Sequence, residues 1–280
     1  MKKIFLFLFL TTSVTYAQLE TPASSPKSAI KQIIGLTEVN IEYSRPSTQG
    51  REVWDGLVPY GKHWRTGANE NTVITFKDDV LIGGEKLAAG EYAIYTIPNK
   101  ANWEVIFYKK ANNWGLPQPW DENLVALSTG VRAEKLPFPT ETFTITINNL
   151  THNTADIAFM WSDVMAVLPI EVPTEEKTMH NIKEVMSKNP TAGDYYKAAS
   201  YFLEEGKDME QAYDWLLKAT KNEKKTPFYF LRKRALVEAE LGLKEKAIKT
   251  AKLSLEKAKK AGSDDYVRLN EASLKEWGAL

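Results

Sequence analysis

The sequence predicts a β + α protein: an antiparallel β-sandwich of jelly-roll-like kind over residues 18–173, then an all-α domain of helical hairpins over residues 174–280. Three observations predict this. Apolar residues recur with period two up to Pro173 and with period 3.6 beyond it. Turn-forming residues break the period-two runs at short intervals, with no long helical stretch between them. Charge divides at the same place, with 13 basic and 18 acidic side chains in residues 18–173 and 21 and 18 in residues 174–280.

The chain opens on Met1-Lys2-Lys3, continues through the apolar run Ile4 to Leu10, and reaches Thr15-Tyr16-Ala17. A basic start, a short apolar centre and a small residue before the cut predict a signal peptide over residues 1–17. The apolar run is shorter than the roughly 20 residues a spanning helix needs. The expected product starts at Gln18, is periplasmic or extracellular, and has no membrane span after cleavage.

Strands are predicted from alternation and from β-branched and aromatic content. They cover Val39–Tyr43, Thr72–Phe76, Glu91–Ile97, Trp103–Tyr108, Thr142–Ile147, Ala155–Trp161 and Val164–Val172. Gly83-Gly84 between Val80–Ile82 and Glu85–Leu87 suits a two-residue hairpin turn. Arginine pairs with nearby acids are expected to tie the long loops.

Beyond Pro173, Thr174 is the expected helix N-cap, with Glu175 and Glu176 in the first turn. Tyr195, Ala198, Ala199 and Phe202 form one helical stripe; Ala212, Trp215, Leu216 and Ala219 form another. Phe228, Leu231 and Ala235, then Ile248, Ala251, Leu255 and Ala258, then Tyr266, Leu269 and Trp277 mark three more helices. Gly206 and Gly242 recur about 36 residues apart, which resembles the tetratricopeptide repeat of about 34 residues.

Composition excludes several chemistries. No cysteine means no disulfide, thiolate ligand or cysteine nucleophile. The 36 basic and 36 acidic side chains leave no basic excess for nucleic acid. The three histidines, His63, His152 and His180, are too few for a histidine cage; His152 reads as a turn residue and His180 as a helix-surface residue. There is no G-x-S-x-G, P-loop, H-E-x-x-H or G-x-G-x-x-G pattern. No cofactor, metal or catalytic residue is therefore assigned. Trp103, Trp114 and Trp120 with Asn112 and Asn113 read either as a sugar platform or as core and loop anchors.

The chemistry-bearing stretch runs from Tyr43 to Asn71. Its candidate ligand-binding residues are Arg45, Arg51, Trp54, Lys62, His63, Trp64, Arg65, Asn69 and Glu70. The planar fork of arginine suits carboxylate or phosphate, and loops on a rigid sandwich often carry function. The same residues admit a purely structural reading. Arg45, Arg51 and Arg65 can pair with Glu52, Asp55 and Glu70 to pin the loop, and Trp54 and Trp64 can be core.

Tyr43-Ser44-Arg45-Pro46, Gly56 to Lys62, Trp64-Arg65-Thr66-Gly67-Ala68-Asn69 and Leu87 to Tyr92 carry a family resemblance. Over about residues 22–172 the chain resembles the family of domains of unknown function numbered 2911. The resemblance implies a secreted protein of Bacteroidetes-like bacteria in which tetratricopeptide-like helices follow the β domain, and it implies no activity. Three functions are carried forward. The first is an exported, non-catalytic binding or scaffold protein of the cell envelope, holding a small anionic or glycan ligand at the arginine loop and a protein or peptide partner through the helices. The second is a cell-envelope hydrolase using Glu70 or His63 with Arg65. The third is a purely structural assembly module.

Overall fold

A computed structural model describes Leu19 and residues 21–280. The expected signal peptide, residues 1–17, lies outside the described residues. The chain divides between Thr174 and Glu175 into two compact units.

The first unit is one nine-stranded antiparallel sheet. Its strands are β1 (Lys27–Ile34), β2 (Thr37–Ser44), β3 (Thr72–Phe76), β4 (Val80–Ile82), β5 (Glu85–Leu87), β6 (Gly90–Ile97), β7 (Asn102–Tyr108), β8 (Val125–Asn148) and β9 (Thr154–Glu171). Their spatial order is β1-β2-β3-β6-β7-β8-β9-β4-β5. Successive strands are neighbours except for the β4–β5 hairpin, which joins the far edge beside β9.

Alternation builds the sheet as expected from a period of two. Thr37, Val39, Ile41 and Tyr43 of β2 face inward, and Ile41 lies opposite Ile74 of β3. Strand β6 is buried on both faces over Tyr92–Thr96. One face joins the main core. The other, with Tyr95, packs on Tyr108 and Trp120 under the segment that follows β7.

Strand β8 makes the fold close. Val125–Arg132 pair with β7, and Ala133–Asn148 pair with β9. Between the two stretches the register slips at Lys135–Thr140, where Leu136-Pro137-Phe138-Pro139 supply two residues without an N–H. The sheet folds over at this pivot. Tyr43 of β2 then meets Phe143 of β8 at 5.8 Å, and its hydroxyl bonds the main chain of Ile145, although three strands lie between β2 and β8 in the sheet. The two parts thus share one core, as a sandwich does.

Three readings of the sequence change here. Strand β1 and the first half of β8 are additional to the predicted strands. The stretches Ala155–Trp161 and Val164–Val172 form a single strand, β9. Ser162 sits inside it with φ 52° and pairs with Thr140 at a register irregularity, so the polar break is a bulge and not a turn.

The second unit holds α1 (Thr174–Met186), α2 (Ala192–Glu204), α3 (Met209–Ala219), α4 (Phe228–Glu240), α5 (Lys244–Lys260) and α6 (Asp264–Glu276). Thr174 does not cap α1. It is the first helical residue, and its hydroxyl is buried without a hydrogen-bond partner. The predicted stripes are inside: Ala198, Ala199 and Phe202 of α2 pack with Ala212, Trp215 and Leu216 of α3. Three helix ends, those of α2, α4 and α5, follow one rule. Gly206, Gly242 and Gly262 all take left-handed φ of 61–72°. The following N–H then bonds back to the carbonyl five residues earlier, Lys207 to Phe202, Leu243 to Glu238 and Ser263 to Ala258, at 2.8–3.0 Å. Among the described residues no helix is long and apolar enough to cross a membrane.

Gly242 is a clean test of this rule, because a Cβ there would meet nothing within 4 Å. Gly242→Ala is expected to cost about 1 kcal/mol from the left-handed backbone alone. A denaturant titration checks it, and an unchanged midpoint would refute the need for glycine.

Candidate functional site

The loop from Arg45 to Asn71 is tied down at both flanks. Near its start, Thr48 N–H bonds Glu141 O, and Phe143 N–H bonds Pro46 O, so Ser47 bridges Thr142 of β8. Near its end, Trp64 and Thr96 exchange N–H to O bonds at 2.7 and 2.9 Å. In between, the backbone is bent hard. Gln49, Asp55, Thr66 and Asn69 all have φ of 49–60°, unusual for residues with a Cβ. Thr66 is β-branched and fully buried. Its left-handed backbone is held by its hydroxyl on Thr96 Oγ1 at 3.1 Å and by Thr72 Oγ1 donating to its carbonyl at 2.5 Å. Gly67 follows with φ 152°, where a Cβ would come within 2.9 Å of Ser44 O. Only glycine fits that approach.

These bends sort the side chains. Trp64 and Thr66 point into the core, while Arg65 between them is half-buried and lines a cleft of about 330 Å³. Trp64, Trp161 and Val58 form its apolar lining. Ser24, Ser25, Ser47, Gln49 and Asn69 add neutral polar groups, and Arg51 and Arg65 bring the charge. Among the described residues no aspartate or glutamate lines it.

Of the nine predicted ligand residues, the cleft brings together Arg51, Trp64, Arg65 and Asn69. The others lie elsewhere. Arg45 donates Nε to Phe143 O at 3.0 Å and Nη2 to Thr144 Oγ1 at 2.7 Å, stitching β2 to β8. Trp54 is in the core, 5.0 Å from Trp103 and 6.0 Å from Trp64. His63 stacks on Trp120 at 4.2 Å. Lys62 is exposed on the loop. Glu70 pairs with Lys27 at 3.2 Å, and its carboxyl is held below the ordinary range by its own backbone amide and the Lys27 ammonium.

The expected arginine–carboxylate ties do not form. Among the described residues neither Arg45, Arg51 nor Arg65 makes an ion pair with Glu52, Asp55 or Glu70. Main-chain carbonyls hold the cleft arginines instead. Arg51 donates Nε to Thr48 O at 2.9 Å and Nη2 to Ser47 O at 2.7 Å, and Arg65 donates Nη1 to Asn69 O at 2.8 Å. The nearest acid that responds to Arg51 is Glu141. Its carboxyl is lowered first by the Thr48 hydroxyl and the Gln49 N–H, with the Arg51 charge adding to them. Carbonyls orient the Arg65 guanidinium without neutralising it, whereas Arg51 shares its field with Glu141.

A supporting layer lies under Arg65 and was not read from the sequence. Gly115 has φ 81°, and a Cβ there would stand 3.2–3.3 Å from the Arg65 guanidinium. Gly115 O accepts the Tyr95 hydroxyl at 3.2 Å, and Asn113 Nδ2 donates to that hydroxyl at 3.1 Å. Asn71 Oδ1 accepts the Asn113 N–H at 2.8 Å, which locks this loop to the end of the arginine loop. Of the three expected platform tryptophans, Trp103 is core, Trp120 packs on Tyr108, and Trp114 is 74% exposed. Among the described residues no cluster of histidine, cysteine, aspartate and glutamate could hold a metal ion.

Residues 25–170 match the family described as protein of unknown function, DUF2911. The chain belongs to this family. The matched span contains the arginine loop, the four core tryptophans and the Trp114 loop. The DUF2911 match ends before α1, so the helical unit lies outside it. No curated protein and no solved structure matches the chain.

The Tyr95 layer yields a pH dependence. Burial pushes the Tyr95 phenol up to about 12, against the weaker pull of Asn113 and the Arg65 charge in the other direction. The folded value lies above the roughly 10 of an unfolded tyrosine, so folding favours the neutral phenol. That stabilisation is whole below pH 10 and is lost as the pH rises through about 12. Tyr95→Phe is expected to flatten this part of the alkaline stability curve, and equal curves for the two proteins would refute it.

Proposed function

We propose that this chain is an exported, non-catalytic binding protein of the bacterial cell envelope, whose β unit holds a small anionic ligand in the arginine cleft. One observation carries the reading: Arg51 and Arg65 line a concave site with no acid among its described lining residues, and main-chain carbonyl oxygens orient both guanidinium groups. Such a site has charge, preorganisation and an apolar wall, the usual make-up of a small-ligand pocket. Neither Glu70 nor His63 lines it, which favours binding over the hydrolase reading. Export rests on the Lys2-Lys3 start, the apolar run and Ala17. The stacked hairpins are the part we assign to protein or peptide contact, as helical-repeat surfaces commonly serve.

Inorganic sulfate at constant ionic strength is a suitable first probe. A ligand that binds only the folded state raises stability by RT ln(1 + [L]/Kd), or about 2.7 kcal/mol at one hundred times Kd. Sulfate is expected to raise the melting temperature of the wild type, and Arg65→Ala and Arg51→Ala are each expected to weaken its binding about tenfold, or about 1.4 kcal/mol. Equal sulfate responses in wild type and both variants would refute the site.

A further inference from the structure

We propose that the helical unit binds a peptide segment of another protein in which a carboxylate side chain stands beside an apolar residue, with the carboxylate on Arg232 and the apolar residue on an aromatic strip across α2, α4 and α6; this rests on the reading of the helices as a peptide-contact surface. Ring contacts build the strip. Tyr196 of α2 stacks on the buried Phe230 of α4 at 4.1 Å and lies 5.6 Å from Tyr229. Phe228 and Tyr229 lie 4.9 and 6.4 Å from Tyr266 of α6. Tyr196, Phe228, Tyr229 and Tyr266 are half-buried, so each packs on its neighbours and keeps part of its surface in solvent. The Tyr196 phenol is pushed up first by burial, and Tyr266 and Tyr229 add to this, which puts the three phenols within electrostatic reach of one another. Leu269, one turn along α6 from Tyr266, adds an aliphatic side chain that is 48% exposed.

Arg232 is the second observation. It follows Tyr229 by three residues and Phe228 by four on α4, the spacing that makes side chains neighbours on a helix surface. Its Nη1 donates to Ser273 Oγ at 2.9 Å, and Ser273 stands two turns along α6 from Tyr266. The guanidinium is thus fixed in the seam between α4 and α6, beside the strip. It is half-buried, and among the described residues no carboxylate pairs with it. The next two cations of α4 are paired, Lys233 with Glu204 at 2.5 Å and Arg234 with Glu238 at 2.8 Å. Burial lowers the Arg232 guanidinium, and the opposing pull comes from the Tyr266 phenol and not from an acid. A hydroxyl orients this cation without neutralising it, and a carboxylate from a partner completes it. A wholly apolar peptide would cover the rings and bury the cation further, unmatched. A small anion would meet the arginine and leave the rings bare. An acidic side chain with an apolar neighbour uses both.

The chain from Gln18 to Leu280 is to be probed with a bead-displayed library of randomised heptapeptides, acetylated and amidated so that side chains supply every carboxylate. The tightest binders are expected to carry Asp or Glu next to an apolar residue. Fluorescence anisotropy then compares the best of them with its amide counterpart, Glu→Gln or Asp→Asn, and the acidic form is expected to bind wild type about tenfold tighter. Arg232→Gln keeps a donor for Ser273 and is expected to abolish that preference, while Arg232→Lys keeps the charge and is expected to retain most of it. Tyr229→Ala is expected to weaken both peptides by a similar factor. Equal affinity of wild type for the two peptides, or an undiminished preference in Arg232→Gln, would overturn the carboxylate assignment and leave peptide contact by the helices standing. A library from which no peptide binds would overturn both.

Discussion

Trp54, Trp64, Trp103 and Trp161 come from three separated stretches of the chain and meet with Phe143 in one interior cluster. Their ring centroids lie 5.0–6.2 Å apart, mostly edge to face, with Trp64 stacked on Trp161. Two of the indoles, Trp54 and Trp64, belong to the arginine loop, and the other two belong to β7 and β9. The cluster is therefore the fastener between the loop and both parts of the folded sheet. In a chain without cysteine no disulfide shares this task. Truncating one such ring typically costs about 3–5 kcal/mol. The cluster carries one polar cost, since the Trp54 Nε1 is buried without a partner, while Trp64 and Trp161 donate to Gly67 O and Glu141 O.

The site follows from this packing. With Trp64 fixed inward and Thr66 locked in a left-handed conformation beside it, Arg65 has to face the cleft. Backbone carbonyls then fix the guanidinium, and the Gly115 backbone sets its other boundary. A carboxylate partner would have stabilised the arginine and cancelled its field. Carbonyls position it and keep its charge. Packing and charge thus fall to different side chains: the indoles hold the loop, and Arg51 and Arg65, which flank them in sequence, are held by main-chain carbonyls. Strained backbone beside an unneutralised charge is a pattern common at functional sites.

Much of the fold was legible in residues whose neighbours in sequence are also their neighbours in space. Thr142–Ile147 alternates because one face is wet, and Ala198, Ala199 and Phe202 recur because a helix turns every 3.6 residues. Strand β1 was hidden because Lys27-Ser28-Ala29-Ile30-Lys31-Gln32 is an edge strand with little apolar contrast. The first half of β8 was hidden because Ser128, Thr129 and Gly130 interrupt its apolar pattern; Pro137 and Pro139 sit farther on, at the pivot where the strand changes partner. Four of the nine candidate residues meet in the cleft, and that follows from local density. Which acids the arginines avoid, and that Gly115 and Tyr95 lie beneath Arg65, depend on contacts some 20–50 residues apart in the chain, which no local pattern encodes.

The claim that indole packing holds the arginine loop is tested most directly by native-state hydrogen exchange on Trp161→Leu, which removes a ring from the far side of the cluster and leaves every loop residue intact. The account predicts that the Trp64 and Thr72 amides, bonded to Thr96 O and Arg65 O, lose protection, while amides in the β2–β3 ladder keep theirs. Unchanged protection at Trp64 and Thr72 would contradict it.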